Sequence, residues 1–395
     1  MINFISFYYL YFLVVFSLLL LFITLVNILL SFLFTRKNKR QGSIDFSSKK
    51  PLISVLIPAR DEEENIHRCI NSLLKQSYSN IEVVVLDDDS EDNTFALAKE
   101  ISDLDSRVSV YKGNKVPSGW LGKNWACHQL SEKANGEFLL FLDSDTKLSA
   151  NLLSDSMNMH INEDLDLLTL FPKRKASTFI DKIISVTIGW MIFSWIPIFL
   201  ANTSKFPFFS AAFGQFLLFK RDSYNLIGGH KTIKVEILDD FELGRNISRN
   251  KLKLKMINGV KDIETFSYNS EKEALRGFSR TIFPFFYQSL IGFLILWFLF
   301  ISMTFIPFLM IFVEFFNITL DENKNSLILL IWTLLSCSWV LAALRSKQSI
   351  FLAILFPFAM LVTSIIGFYS VVSFLIDNIH WKNRNVIFQK GNKDK

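Results

Sequence analysis

The feature that most constrains this chain is a run of 28 residues without a charged side chain, from Phe7 to Phe34. The run is longer than the apolar core of a signal peptide, and as a helix it is long enough to span a bilayer. A basic cluster, Arg36 to Arg40, follows it, and no small-residue cleavage pattern intervenes. Because basic residues flank membrane helices on the cytoplasmic side, the pattern predicts an uncleaved anchor whose C-terminal end faces the cytoplasm.

Three further apolar runs meet the same length criterion near the end of the chain: about Ser289 to Phe316, about Ser326 to Leu344 and about Ile350 to Ile376. Half of all residues are hydrophobic and 41 are Phe, which is more than a soluble core needs. The pattern predicts an integral membrane protein in three parts. These are an anchor with its basic flank (1–44), a globular domain (45–284), and C-terminal membrane helices with a basic tail (285–395).

Another apolar segment, Ile183 to Leu200, interrupts the globular part. A full crossing there would place the two halves of one domain on opposite sides of the membrane. We therefore predict an interfacial or re-entrant segment, with a helix of the soluble core as the alternative. One anchor and three C-terminal spans would leave the basic tail, Lys382 to Lys395, outside the cell against the positive-inside tendency, so the number of spans stays open.

The net charge of +5 is concentrated in clusters that flank the apolar runs, and the globular part has no basic stripe with interleaved aromatic residues. This distribution predicts contact with a membrane surface and no nucleic-acid partner. The spacing of Cys69, Cys127 and Cys337 indicates neither a disulfide framework nor a zinc site and fits a reducing cytoplasm.

The globular part alternates predicted strands with predicted helices. Leu52 to Pro58, Ile81 to Leu86 and Phe138 to Leu142 are short continuous apolar runs, typical of strands buried on both faces, and Arg107 to Tyr111 is a further strand. Between them lie helical patterns, the clearest from Ile66 to Leu74. The alternation predicts an α/β fold with a mainly parallel sheet.

Acidic residues follow these strands at the edge where parallel α/β sheets bind ligands. Asp87, Asp88 and Asp89 follow one strand, and Asp143 and Asp145 follow another. Grouped carboxylates repel one another unless a cation or hydrogen-bond donors sit among them, so we predict a metal and nucleotide site. The alternatives are a solvated acidic turn at Asp87 and a helix start capped near Asp145.

Five motifs, in order, resemble membrane-associated glycosyltransferases of family 2, which have the nucleotide-diphospho-sugar transferase (GT-A) fold. They are "SVLIPARDEEENI", "VVVLDDDSEDNT", "GWLGKNWACHQL", "FLDSDT" and "EILDDFELGR". In the second motif, Asp89 stands where the family more commonly has glycine. The "PSGWLGKNWAC" wording, with one N-terminal anchor and a C-terminal helical bundle, is most similar to the subgroup linked to carotenoid and hopanoid biosynthesis. Ceramide glucosyltransferases are more distant kin.

The resemblance implies a role for each matching acidic or basic residue. Asp87 and Asp88 would hold the nucleotide base and ribose. Asp143 would contact the ribose or a metal ion, and Asp145 would ligate Mg²⁺ or Mn²⁺ on the diphosphate. Lys123 would pair with the nucleotide or the diphosphate, although a lysine that merely lies along the surface is the alternative.

The last motif supplies the general base in the resembling family. Asp240 is the expected base and Asp239 its rival, and an acidic helix start is compatible with either role. Arg276 and Arg280 stand where the family often has a Gln-x-x-Arg-Trp signature, and an arginine there would clamp the diphosphate. Only Arg280 matches that signature, because Thr281 replaces the tryptophan.

The expected function is therefore an inverting, metal-dependent hexosyltransferase that moves a sugar from a nucleotide-diphospho-sugar to a lipid-type acceptor (terpenoid, carotenoid, glycerolipid or sphingolipid). It would act at the cytoplasmic face of the cell membrane. A processive polysaccharide synthase is one alternative, but the missing tryptophan and the few membrane helices disfavour it. The other is a non-catalytic membrane-anchored binding protein on the same fold, which is disfavoured because Asp88, Asp145 and Asp240 are all retained.

Overall fold

The computed structural model describes residues 2–40, 50–203, 207–266, 268–286, 288–315, 322–376, 380–381 and 384–385. In chain order the strands are β1 (Ile53–Ala59), β2 (Ile81–Asp87), β3 (Val108–Lys112), β4 (Phe138–Phe141), β5 (Thr146–Leu148), β6 (Leu167–Phe171), β7 (Lys173–Arg174), β8 (Leu217–Lys220), β9 (Leu254–Asn258), β10 (Ile263–Thr265), β11 (His380–Trp381) and β12 (Arg384–Asn385). The helices are α1 (Ile2–Arg40), α2 (Ile66–Leu74), α3 (Thr94–Leu104), α4 (Gly122–Lys133), α5 (Leu152–Asn162), α6 (Phe179–Trp195), α7 (Ile198–Thr203), α8 (Arg221–Leu226), α9 (Asp239–Arg249), α10 (Glu271–Phe285), α11 (Leu290–Phe315), α12 (Glu322–Ser346), α13 (Ile350–Ile354) and α14 (Phe356–Leu375). Short 3₁₀ helices lie at Pro207–Phe209 and Gly229–Thr232.

The described residues form two compact units. The sheet unit lies within Leu33–Lys175, Ile198–Ser267 and Ile379–Lys395, and the helical unit lies within Met1–Phe32, Ala176–Pro197 and Tyr268–Asn378. The three-part domain division at residues 44 and 284 stays a prediction. So do the roles of the basic flank and tail, because the side chains of Arg36 to Arg40 and most of Lys382 to Lys395 lie outside the described part of the chain.

The sheet unit is built on a seven-stranded sheet in the order β3-β2-β1-β4-β8-β6-β9. β1 pairs in parallel with β2 and β4, and β2 with β3, so the predicted parallel sheet is confirmed. β8 is antiparallel to both β4 and β6, while β6 and β9 are parallel. A second, three-stranded sheet has the order β5-β10-β7 and brings Thr265 beside Thr146.

The pairing register aligns the ends of the strands that carry the acidic residues. Ala59 at the end of β1 lies opposite Asp87 at the end of β2, and Leu56 lies opposite Phe141 of β4. The strands are buried on both faces, which explains their continuous apolar sequences. One face packs on α2 through Ile66, Cys69, Ile70 and Leu73, at the spacing of an amphipathic helix. The core therefore fixes the register, and the register brings the acidic strand ends to one edge.

The helical unit contains four helices that are long and apolar enough to cross a membrane, judged by length and composition. The candidate spans are Tyr8–Leu30, Leu290–Met310, Lys324–Ser346 and Phe356–Leu375. They coincide with the four apolar runs of the sequence. These four helices indicate a membrane-associated protein.

Helix α6, which falls in the ambiguous apolar segment, packs inside the helical unit. Its Trp190 ring stacks on Trp339 of α12, with centroids 4.5 Å apart, and its Thr187 hydroxyl lies 3.2 Å from that of Thr363 in α14. Near its end, Ser194 accepts a hydrogen bond from Thr24 of α1. These contacts tie α6 to helices that carry candidate spans, and its interfacial or re-entrant placement stays a prediction.

Candidate active site

The centre of the candidate site is Lys123, which lies in the first turn of α4. Its Nζ atom lies 3.0 Å from Oδ1 of Asp143, just beyond β4, and 3.5 Å from Oδ2 of Asp239, at the start of α9. Burial lowers the pKa of this ammonium, but Asp143 and Asp239 more than offset the burial, so the pKa lies well above its usual range. Lys123 is therefore a permanent cation that joins two of the acidic motifs.

Gly214 marks the point at which three of the predicted side chains meet. A Cβ atom at this position would lie 3.3 Å from Nζ of Lys123, 3.5 Å from Oδ2 of Asp240 and 3.6 Å from Oδ2 of Asp143. The Gly214 backbone N–H also donates a hydrogen bond of 2.8 Å to Oδ2 of Asp240. The absence of a side chain thus leaves room beside the three charged groups while the backbone orients one of them.

Asp239 and Asp240 lie in the first turn of α9, which confirms the acidic helix start, but the N-cap residue is Leu238 and neither aspartate caps the helix. Oδ1 of Asp240 accepts a hydrogen bond of 2.8 Å from the Phe241 N–H, so each of its oxygens has one backbone donor. Burial and the neighbouring Asp239 raise the pKa of Asp240 to about 7, although Lys123 and the two backbone donors act in the opposite direction. A carboxyl with this pKa exchanges its proton near neutral pH, as a general base must.

Asp145 sits one residue before β5 and faces the second sheet. Its Oδ2 accepts a hydrogen bond of 2.9 Å from the Thr265 hydroxyl, and its buried Oδ1 accepts none from the described residues. Burial, together with Asp143 and Glu62, raises the pKa of Asp145 to about 7. The segment that follows is a strand, not a helix, so the helix-start alternative at Asp145 is wrong.

The backbone of the second acidic motif is held by hydrogen bonds. Oδ1 of Asp87 is buried without a hydrogen-bond partner among the described residues. The Arg60 guanidinium donates to the backbone oxygens of Asp88 and Asp89, at 2.6 and 2.9 Å. Asp89 has a φ of 61°, in the left-handed region that glycine adopts most readily. The backbone therefore keeps the conformation that explains why glycine is commoner at this position.

The donor atoms suit a metal ion that is shared with a ligand. Within the described residues, no group of three or more His, Cys, Asp or Glu side chains could hold a metal by itself. Mg²⁺, however, is usually bound by one or two carboxylates together with substrate phosphates. The buried Oδ1 of Asp145 and the adjacent negative charge of Asp143 fit that arrangement.

The two predicted arginines, and the first tryptophan of the third motif, have other surroundings. Arg276 and Arg280 lie on α10 in the helical unit, and their contact with a diphosphate stays a prediction. The Trp120 ring stacks on His128, with centroids 5.1 Å apart, and Lys234 lies over the Trp120 ring. The structure therefore shows Trp120 in packing contacts.

Part of this chain is similar to known proteins. Residues 54–228 match the model of glycosyl transferase family 2. The match covers less than half of this chain, and it includes the mainly parallel, GT-A-like part of the sheet that carries the acidic edge. Over this segment the chain is similar to glycosyl transferase family 2, so the resemblance that the motifs predicted is confirmed.

Two curated relatives share part of the chain. A 4,4'-diaponeurosporenoate glycosyltransferase of Staphylococcus haemolyticus is 27% identical over 237 residues, a match that covers 58% of this chain and 58% of the relative. The chain thus spans little more than half of that relative's length. UDP-Glc:alpha-D-GlcNAc-diphosphoundecaprenol beta-1,3-glucosyltransferase WfgD of Escherichia coli is 36% identical over 117 residues, which are 30% of this chain and 44% of the relative. The predicted resemblance to carotenoid-linked glycosyltransferases is confirmed.

Among solved structures, a mannosyltransferase from Pyrobaculum calidifontis in complex with GDP-Man and Mn²⁺ is 13% identical. The likeness covers 93% of this chain and 100% of that chain, with a TM-score of 0.49. A likeness at this level carries no argument about function.

The sequence analysis did not identify two residues of the site, Gly214 and Asn124. Gly214 lies within "AAFGQF", where an isolated glycine before a strand indicates close backbone approach but not the groups that approach it. Asn124 lies inside a quoted motif, yet nothing in the sequence indicates what its side chain contacts. Both are visible only once distant segments are folded together.

Proposed function

We propose that this protein is an inverting, metal-dependent glycosyltransferase that moves a hexose from a nucleotide-diphospho-sugar to a lipid-soluble acceptor at the cytoplasmic membrane face. The observation that carries the proposal is the meeting of Lys123, Asp143 and Asp240 beside Gly214. One cation and several carboxylates in that space can bind a diphosphate and remove a proton from an incoming hydroxyl.

The donor would bind along the edge formed by the ends of β2 and β4. The unpartnered Oδ1 of Asp87 can accept a hydrogen bond from a base N–H or a ribose hydroxyl, and the Asp88 carboxylate can do the same. Lys123 supplies a positive charge for the diphosphate, because its ammonium remains protonated. The residues proposed for the nucleotide end are thus hydrogen-bond acceptors, and the residue proposed for the phosphate end is a donor.

Asp145, assisted by Asp143, would hold Mg²⁺ or Mn²⁺ together with the diphosphate. When bound, such an ion neutralises charge on the leaving diphosphate. The contacts of Asp145 support that role, because Thr265 occupies one oxygen and leaves the other unpartnered among the described residues.

Asp240 would take the proton of the acceptor hydroxyl while that oxygen attacks the anomeric carbon. Each of its oxygens accepts one backbone N–H, and a carboxylate oxygen has a second lone pair that can receive a proton. Asp239 is less suited, because its Oδ2 lies 3.5 Å from the Lys123 ammonium. A single displacement, with the base on the face opposite the diphosphate, inverts the anomeric configuration.

The acceptor is proposed to be lipid-soluble because the described part of the chain carries four candidate membrane spans. The names of the two curated relatives point the same way: one acts on a diaponeurosporenoate and the other on a diphosphoundecaprenol. Arg276 and Arg280 are proposed to pair with the donor diphosphate. The cytoplasmic orientation rests on the basic cluster Arg36 to Arg40.

The test is to incubate membranes that contain the protein with a panel of nucleotide sugars and extracted lipids, and to identify glycolipids by mass spectrometry. Membranes with Asp240→Asn at the same expression level are the matched control. We expect one new glycolipid with one class of donor, lost in the control. Absence of any glycosylated lipid across the panel, or equal product in the control, would contradict the proposal.

A further inference from the structure

The loop of residues 233–238, which leads into Asp239 and Asp240, is hydrogen-bonded to the buried side chain of Asn124 in α4. Nδ2 of Asn124 donates hydrogen bonds to the backbone oxygens of Ile233 (2.8 Å), Lys234 (3.2 Å) and Glu236 (2.9 Å). The Leu121 N–H adds a fourth bond, 2.8 Å from the Lys234 oxygen. Asn124 is only 1% exposed, so water does not replace these contacts.

The loop has little structure of its own that would hold it in place. Between the 3₁₀ helix that ends at Thr232 and α9, residues 233–238 form no helix or strand. A turn bond from the Glu236 N–H to the Ile233 oxygen, at 3.0 Å, lies inside the segment and does not attach it to the sheet unit. The position of Asp239, and of Asp240 after it, therefore depends in part on the bonds to α4, besides the buried Ile233 side chain and the contacts that the two aspartates make themselves.

The same helical turn carries the site cation. Lys123, the residue before Asn124, forms an ion pair with Asp239. The same helical turn therefore contacts both the loop and the acidic residue that follows it. Asn is suited to the contact with the loop because its amide offers two hydrogens on one nitrogen, which three closely spaced carbonyl oxygens can share. An aspartate of the same shape would instead face three carbonyl oxygens with a carboxylate.

We propose that Asn124 is a positioning residue that places the catalytic base by clamping residues 233–236. It does not touch the substrate. Its catalytic consequence rests on the function proposed for Asp240, whereas the clamp itself is a property of the fold. A displacement of about 1 Å at a reacting group typically lowers turnover ~100-fold, so the clamp has a measurable effect on rate.

The experiment compares Asn124→Ala and Asn124→Asp with Asn202→Ala in the full-length protein. Asn202 is a matched control because its amide braces β9 in the same unit, donating to the Met256 oxygen at 2.9 Å and accepting from the Met256 N–H at 2.7 Å. Each variant is measured for hydrogen exchange of residues 233–242, donor affinity by calorimetry, and turnover at saturating donor.

We expect both Asn124 variants to accelerate exchange in residues 233–242 by ~10- to 100-fold, as expected for the loss of two or three hydrogen bonds. Turnover should fall by ~10- to 100-fold. Donor affinity should stay within about threefold, because Asp87 and Asp88 lie on other elements and the substitution leaves the helical backbone that carries Lys123 intact. Asn202→Ala should leave both the exchange of this segment and the turnover at the parent level.

Unchanged exchange at residues 233–242 in Asn124→Ala would overturn the clamp. Accelerated exchange with parental turnover, or a loss confined to donor affinity, would overturn the positioning role. If Asn124→Asp behaved like the parent, the shape of the side chain and not its hydrogen-bond donation would hold residues 233–236, and the clamp would be overturned. Should the parent protein itself transfer no sugar, the proposed function fails, and hydrogen exchange alone decides whether Asn124 fixes the loop.

Discussion

Replacing Asp240 by Asn removes the basic oxygen while nearly preserving the shape of the side chain. General-base catalysis typically contributes about 10²–10⁴-fold, so transfer at saturating donor should fall by that factor. Donor affinity should change little, because the residues assigned to the nucleotide are Asp87 and Asp88. Asp239→Asn is the control: it weakens the pair with Lys123 and should lower transfer less.

The same substitution should stabilise the fold at alkaline pH. Burial and Asp239 raise the pKa of Asp240 from 3.8 to about 7, so the native state retains a proton that the unfolded chain releases. Stability therefore falls as the pH rises through this window, and the loss is complete above about pH 7. At ~1.4 kcal/mol per pH unit between the two values, ionised Asp240 destabilises the fold by at most ~4 kcal/mol.

The Asp240→Asn variant would lose part of this gain in stability. Both Asp240 oxygens accept backbone N–H groups, and an amide presents only one oxygen, so one N–H would face an NH₂ group. An unmade hydrogen bond of this kind costs about 1–3 kcal/mol. The net expectation is ~1–3 kcal/mol of stabilisation at pH 8, or a Tm increase of roughly 2–6 °C, and about none at pH 5, where most of the loss linked to Asp240 ionisation is absent.

Calorimetric donor binding, transfer under saturating donor and thermal unfolding at pH 5 and pH 8 test these expectations on the purified protein. A large loss of donor affinity in Asp240→Asn, or a greater loss of transfer in Asp239→Asn, would show that the proton is taken by another carboxylate. If the difference in Tm between Asp240→Asn and the parent were the same at pH 5 and pH 8, the electrostatic argument would be refuted.

Three further outcomes are expected. Asp145→Ala should abolish transfer and weaken metal-dependent donor binding in calorimetry while the fold survives; parental turnover in the presence of a chelator would contradict the metal role. Single cysteines placed at exposed Asn93 and Lys251 should be equally shielded from an impermeant thiol reagent in intact cells, and labelling of only one would mean that Ile183 to Leu200 crosses the membrane. Gly214→Ala should lower turnover ~10-fold or more, since its methyl group would lie 3.3 Å from Nζ of Lys123, and parental kinetics would show that this space is not used.

The parallel half of the sheet was predictable because its strands are buried on both faces and therefore read as short apolar runs. The predicted Ile81 to Leu86 became β2 with one further residue, and Phe138 to Leu142 became β4 with one fewer. Once the strands are known, parallel pairing aligns their carboxyl ends, so the acidic edge followed from the sequence.

The antiparallel strand β8 could not be placed in the same way. Leu217–Lys220 is only four residues long and pairs with β4 and β6 through contacts that lie about 50 to 80 residues away along the chain. A single sequence contains no signal for such a pairing. The position of Gly214 beside Lys123 and Asp143 depends on this strand, and so the space at the centre of the site was not predictable either.

Helix α6 shows a different limit. Its composition resembles a membrane span, but at 17 residues it is near the boundary between a span and a buried helix. Hydropathy cannot separate these cases, whereas the contacts of Trp190 with Trp339 and of Ser194 with Thr24 assign it to the helical unit. Packing partners, which lie far apart in the chain, carry the missing information.

The most direct measurement of the central claim is an experimental structure of the protein with a nucleotide-diphospho-sugar and Mn²⁺. We predict the base and ribose at Asp87 and Asp88, the metal on Asp145 with the diphosphate, and the anomeric carbon facing Asp240 across the space left by Gly214. A donor bound away from these strand ends, or an anomeric carbon that Asp240 cannot approach from the face opposite the diphosphate, would contradict the account.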